Sequence, residues 1–93
     1  MEDKQYEVVP TKTFLKELAK LSDVNKKQVT KAIDILKVDP FYPSLRVKKI
    51  IIRGQPDLYE ASVNMDIRFF WQFDEGKIII LADIGHHDVL RKY

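Results

Sequence analysis

The sequence predicts an α+β fold: a mainly antiparallel twisted sheet of four to five strands, with an N-terminal two-helix hairpin packed on one face. Apolar residues recur at helical spacing from Phe14 to Leu36. Three later runs, residues 58–63, 67–73 and 77–84, are rich in aromatic and β-branched side chains and are separated by short polar breaks. Length adds a third constraint. Ninety-three residues make one domain, 1–93, that buries roughly two-thirds of its unfolded surface without staples.

The elements follow in chain order. Tyr6-Glu7-Val8-Val9 is a short strand closed by Pro10. Thr11 or Thr13 caps a first helix, whose Phe14, Leu15, Leu18 and Leu21 keep helical spacing. Ser22-Asp23 opens a longer helix with Val29, Ala32, Ile33 and Leu36 on one face and Lys26, Lys27, Lys31 and Lys37 mostly off it. A residue or two between the helices predicts an antiparallel pair. Asp39-Pro40 ends the second helix, because a residue before proline avoids the helical region. Residues 45–52 then read as a strand and Arg53-Gly54-Gln55-Pro56-Asp57 as a turn.

Alternation sets the expected register of the last three strands. A loop at Asn64-Met65-Asp66 pairs Tyr59 with Trp71 and Ala61 with Phe69. A loop at Glu75-Gly76 pairs Trp71 with Ile80, Phe69 with Ala82 and Ile67 with Ile84. The opposite face then carries Glu60, Ser62, Arg68, Phe70, Gln72 and Asp83, with Arg68 between Ser62 and Asp83.

Composition excludes several classes. Hydrophobic content of 45% and charge of 32% describe a folded chain. The lack of cysteine rules out disulfides, thiolate metal sites and a cysteine nucleophile. The charged start is unlike a signal peptide and no stretch has the length of a membrane span, so the expected location is cytoplasmic, with no membrane partner. The net charge of +2 is uneven: residues 1–50 hold 11 Lys/Arg against 7 Asp/Glu, and residues 51–93 hold 5 against 7. Lysines on the helical half offer phosphate attraction, or simply solvate helix surfaces.

Arg68 is the strongest candidate for chemistry. A guanidinium clamps phosphate with paired donors that stay charged at any working pH; the alternative is a salt bridge to Asp83 or Glu60. His86 and His87, at the end of the last strand, bring imidazole chemistry near neutral pH, or serve as a surface pair. Neighbouring residues in extended chain face opposite ways, so at most one of them reaches the Arg68 side. His86-His87-Asp88 is a poor metal site, because consecutive ligands rarely converge on one ion; no metal or small-molecule cofactor is expected. Tyr93, Phe70 and Tyr59 offer surfaces for stacking bases. Arg46, Lys48, Lys49 and Arg53 are candidate contacts to a nucleic-acid backbone, or a charged strand edge that discourages aggregation.

The order strand, helix pair, antiparallel strands resembles the RelE/ParE superfamily of small bacterial and archaeal toxins over nearly the whole chain. Arg53-Gly54-Gln55-Pro56-Asp57-Leu58-Tyr59 is similar to the Arg-Gly-x-Pro-Asp-x-Tyr turn of RelE-type members. Ile67-Arg68-Phe69-Phe70-Trp71 resembles their arginine-bearing strand, Ile84-Gly85-His86-His87 their Val/Ile-Gly-His/Lys-Arg signature, and Tyr93 falls at the spacing of their late tyrosine.

The resemblance implies the toxin of a type II toxin–antitoxin pair that cuts mRNA on the ribosome without metal, through the RNA's own 2′-hydroxyl, leaving a 2′,3′-cyclic phosphate. Arg68 would stabilise the charge developing on the phosphate, His86 would act as general base or acid, and Tyr93 would assist proton transfer or orient a base. The implied partners are a cognate antitoxin, the ribosome and mRNA. Glu60 and Ser62 stand where RelE-type members carry lysines, and His87 where they carry arginine. These departures weaken phosphate attraction and make Glu60 an alternative general base. A ParE-like inhibitor of DNA gyrase and a catalytically inactive antitoxin-binding relative are the competing readings.

Overall fold

The computed structural model describes residues 5–88. Its elements are β1 (Glu7–Pro10), α1 (Lys12–Leu18), α2 (Asp23–Val38), a 3-10 turn (Pro43–Leu45), β2 (Lys48–Ile50), β3 (Leu58–Ser62), β4 (Ile67–Phe73) and β5 (Ile78–His86). The fold is α+β. One five-stranded sheet runs in the order β1-β5-β4-β3-β2, antiparallel throughout except where β1 joins β5 in parallel. Among the described residues no helix is long and apolar enough to cross a membrane.

Both helices begin at the side-chain caps that the sequence offers. Thr11 Oγ1 accepts from Phe14 N at 3.1 Å and Ser22 Oγ from Asn25 N at 3.1 Å, each satisfying a backbone donor that has no partner inside the helix. Thr11, not Thr13, is the first cap. α2 ends at Asp39, before Pro40. Phe14, Leu21, Val29, Ala32 and Leu36 from the helical half pack on Ala61, Ile67, Phe69, Trp71, Ile79, Leu81 and Ile84 from one face of the sheet. Phe14 meets Phe69 edge to face, with ring centroids 6.3 Å apart. Beyond α2, Phe41 folds onto the stacked Tyr59–Trp71 pair and Phe73, closing that end of the core.

Several expectations need correction. Residues 45–52 are not one strand. Pro43 starts a 3-10 turn, Arg46 takes a left-handed conformation (φ 47°, ψ 52°), and only Lys48–Ile50 pair with β3. The β4–β5 connection takes four residues, 74–77, with Gly76 left-handed and Asp74 N donating to Ile78 O, where two loop residues were expected. β1 includes Pro10, which an edge strand tolerates, and β5 runs on through Gly85 to His86.

The register of β3 on β4 is as the alternation predicts, with Tyr59 opposite Trp71, Ala61 opposite Phe69 and Ser62 opposite Arg68. The register of β4 on β5 is not. Phe73 faces Ile79 and Trp71 faces Leu81; then Phe70 faces Asp83, so Ala82 is an extra residue without a partner in β4. Beyond this bulge Phe69 faces Ile84, Arg68 faces Gly85 and Ile67 faces His86. Asp83 is therefore not across from Arg68. It lies buried beside Phe70, its carboxylate accepting from Ile84 N. The face away from the helices is not uniformly polar either: Leu58 and Phe70 are buried there against Ile50, Ile52 and Ala82.

Thr11 holds the bulge in place. Its backbone N donates to Leu81 O at 3.0 Å, and its hydroxyl proton is shared between Leu81 O (2.9 Å) and Ala82 O (3.1 Å). These are carbonyls that a bulge takes out of the regular ladder. Thr11→Val removes both the cap and the hydroxyl donor and should lower unfolding free energy by about 1–2 kcal/mol. Thr13→Val, on the exposed first turn, should change it by less than about 0.5 kcal/mol. Urea titrations followed by circular dichroism check the contrast, and equal effects would rule out this role for Thr11.

Candidate functional site

The shifted register of β5 brings the functional side chains together at the β3–β4 turn. Asn64 Oδ1 accepts from Asp66 N (2.8 Å) and Ile67 N (2.7 Å), a side-chain closure of the turn typical of Asn. The extended β4–β5 ladder then sets Asp66 against the histidine pair. His87 N donates to Asp66 O at 2.8 Å, His86 Nδ1 is paired with Asp66 Oδ2, and His87 Nδ1 lies 3.5 Å from Asp66 Oδ1. His87 Nε2 also meets Asp88 Oδ1 at 3.1 Å. One carboxylate thus bridges two imidazoles.

Asp66 is the candidate site residue that sequence reasoning missed. It reads as a loop position, and its partners become visible only once Ala82 is known to bulge. The hydrogen bond from His86 holds the Asp66 carboxyl below its ordinary value; desolvation opposes it, and charge on His86 and the contact with His87 add smaller downward effects. All three side chains are about half exposed, so the cluster adds little to stability. What it does is fix one ring nitrogen of His86 and leave the other to exchange a proton.

Arg68 sits one step along β4. Its Nη1 donates to Asn64 O at 2.6 Å and to Ile67 O at 3.3 Å, which anchors one arm of the guanidinium to the turn. Among the described residues Nη2 and Nε make no hydrogen bond and remain for a ligand. Neither Asp83 nor Glu60 forms a salt bridge with Arg68. Arg68 lines a cleft of about 230 Å³ with Ser44, Arg46, Ser62, Asn64 and Met65. A second recess of about 300 Å³ shares Ser44, Ser62, Val63 and Asn64 with it and extends to Gln28 and Lys31 on α2. The lining mixes hydroxyl, amide and guanidinium groups with the apolar Ala32, Ile35, Leu45, Val63 and Met65, and its polar groups are of a kind that binds an anion.

The other candidates scatter. Arg46 shares the Arg68 cleft. Lys49 pairs with Asp57 at 3.3 Å, and Lys48 lies opposite Glu60 across β2 and β3. Arg53 is exposed in the turn before β3. Glu60, half-buried, faces Lys48 on one side and Phe70 on the other, two residues along β3 from Ser62. Alternation puts His86 on the Ile67 side of the sheet and His87 on the Arg68 side, and no direct contact joins Arg68 to either ring. Tyr93 lies outside the described residues. Among those residues no group of three or more His, Asp or Glu side chains is arranged to hold a metal ion.

No family model matches the sequence and no curated protein matches it significantly. Solved structures do match in fold. The archaeal RelE–RelB complex from Pyrococcus horikoshii OT3 aligns at 25% identity and TM-score 0.75, covering 88% of this chain and 94% of that one. The RelBE2 toxin–antitoxin complex from Mycobacterium tuberculosis aligns at 21% identity and TM-score 0.71, over 88% and 98%. A variant of E. coli toxin RelE in the free state aligns at 21% identity and TM-score 0.70, over 94% and 88%.

Because His86 is the main cause of the low Asp66 titration, His86→Ala should move the Asp66 midpoint up toward the ordinary carboxylate range. A carboxyl depressed in the folded state favours folding above its ordinary range, and that contribution disappears as pH falls through the lowered midpoint. Carboxyl ¹³C NMR of the native and His86→Ala proteins reads the shift directly. An unmoved midpoint would assign the depression to another group.

Proposed function

We propose that this chain, which has the fold of the RelE/ParE toxin superfamily, is the toxin of a type II toxin–antitoxin pair and cuts mRNA on the ribosome through the RNA's own 2′-hydroxyl. The observation that carries the reading is Arg68, anchored by one arm at a cleft and two residues along the chain from Asp66, whose carboxylate holds the imidazole pair. The partners expected are a cognate antitoxin, the ribosome and its mRNA.

The chemistry follows from those groups. A base takes the 2′-hydroxyl proton, and the resulting O2′ attacks the adjacent phosphorus. The bond from phosphorus to the 5′-oxygen of the next nucleotide breaks, and an acid returns a proton to that oxygen. The products are a 2′,3′-cyclic phosphate and a free 5′-hydroxyl. Arg68 meets the charge that grows on the non-bridging oxygens, where a preorganised guanidinium in a partly desolvated cleft acts most strongly. His86, oriented by Asp66, is assigned to proton transfer, and His87, on the Arg68 side, is its closest alternative. Glu60 stands on the same face as Arg68 and is the remaining candidate base. Arg46, which lines the same cleft, is assigned to a neighbouring phosphate.

Asp66 acts through His86. Its carboxylate fixes which ring nitrogen carries the proton at rest and stabilises the imidazolium formed when the ring accepts one. The exposed pair contributes geometry, because the same contact on a surface is too well solvated to contribute much free energy.

Primer extension on a defined mRNA held on purified ribosomes tests the proposal. Cuts in the ribosomal A site are expected with the native protein. Arg68→Ala should reduce their rate about 10²–10³-fold while leaving the circular dichroism spectrum unchanged, the scale seen when one charge-stabilising donor is lost. Intact mRNA with correctly folded native protein would overturn the nuclease reading. Titration of gyrase supercoiling would then distinguish a ParE-like inhibitor from a relative that only binds its antitoxin.

A further inference from the structure

We infer that Asn64 is the positioning residue of this site, coupling the orientation of Arg68 and Asp66 to helix α2. Every polar atom of this residue beyond its own N–H is committed. Its side-chain oxygen closes the turn by accepting from Asp66 N and Ile67 N. Its backbone carbonyl receives Arg68 Nη1 at 2.6 Å. Its amide nitrogen reaches across to α2, donating to Gln28 Oε1 at 2.6 Å and to Asn25 Oδ1 at 3.2 Å. One residue therefore stands between the helix and both Arg68 and the carboxylate that holds the histidines.

The arrangement asks for an explanation beyond stability. The turn closure alone needs only an acceptor oxygen, which Asp or Ser also supplies. The links to α2 are long-range, at sequence separations of 36 and 39, and lie largely at the surface, where a neutral hydrogen bond adds little net free energy. Their effect is geometric. They fix the turn, and with it the carbonyl that aims the guanidinium, against a sixteen-residue helix that Val29, Ala32 and Leu36, on the same side as Asn25 and Gln28, anchor in the core. A displacement near 1 Å at such a group costs up to about 10²-fold in rate, far more than the hydrogen bonds are worth to folding.

Asn25→Ala/Gln28→Ala tests this without touching the turn. Both positions lie within α2, where alanine is the best helix former, so the fold is retained. The expected result is loss of order at Arg68, read as a fall in the heteronuclear NOE of its Nε–H toward values of a free side chain. In ribosome-bound mRNA cleavage the maximal rate should fall about tenfold, with the half-saturating protein concentration changed less than twofold. Asn64→Asp keeps the acceptor oxygens but cannot donate to α2, and should reproduce both effects.

Unchanged Arg68 order in both variants overturns the inference, as does lost order with an unchanged maximal rate. The rate measurement rests on the nuclease reading, whereas the NMR measurement does not. If the native protein leaves mRNA intact, that reading fails by itself, and the NOE still decides whether Asn64 holds Arg68.

Discussion

The hydrogen bonds from Thr11 to the carbonyls of Leu81 and Ala82 fix the one irregularity on which the arrangement of this molecule turns. Without an extra residue in β5, strict alternation from Ile79 and Leu81 would send Asp83 and Gly85 into the core and push Ile84 out. Burying a carboxylate among Phe14, Phe69 and Trp71 would cost far more than the sheet gains from one additional regular pair. The bulge resolves the conflict by switching the parity of the strand. Ile79, Leu81 and Ile84 all face the helices, and Asp83 turns to the other side, where Ile84 N meets its carboxylate. The same switch advances Gly85, His86 and His87 along β4, so that the histidines arrive at Asp66. Packing in the core and placement of the site are thus set by a single local event.

That event also marks the limit of what the residues reveal unaided. The β3–β4 register is legible because apolar and polar residues alternate there, with Tyr59 and Ala61 set against Trp71 and Phe69 across a turn that Asn64 closes. Ile78-Ile79-Ile80-Leu81-Ala82 has no polar residue, so it fits either face equally well and alternation carries no information. A second ambiguity affects residues 45–52, whose apolar and basic residues read as strand although Pro43 and the left-handed Arg46 bend the chain before β2 can start. In both places the deciding factor is a local turn or bulge.

The site divides in the same way. Arg68 was legible, because a lone guanidinium in an aromatic strand calls for a reason. The histidine pair was legible as chemistry but not as geometry. Asp66 was legible as neither, since it sits in a short polar break that any hairpin needs. A carboxylate two residues before an arginine, at the foot of a strand, carries no signal until the opposing strand is placed. Of the four basic residues proposed for a nucleic-acid backbone, only Arg46 shares the Arg68 cleft, because the kink at Arg46 separates it from Lys48 and Lys49 on β2.

The charge balance at the site argues for how a chain with so few cations at its centre handles a polyanion. β3 presents Glu60 and Ser62 on the Arg68 face, neither of them a cation that could attract a polyanion. Attraction at a distance must then come from elsewhere, and the basic excess of residues 1–50 lies on the helices and the segment that follows them. Lys31 on α2 and Arg46 beyond it lie along the two joined recesses that end at Arg68. On the proposed reading, an RNA strand drawn in along that path would meet Lys31 and Arg46 before Arg68. That reading separates affinity from chemistry along the cleft: the helical half would supply the approach, and the turn between β3 and β4 the groups proposed to act. It asks for a link between those two parts, and the amide of Asn64 joins the turn to α2 through its hydrogen bonds to Asn25 and Gln28.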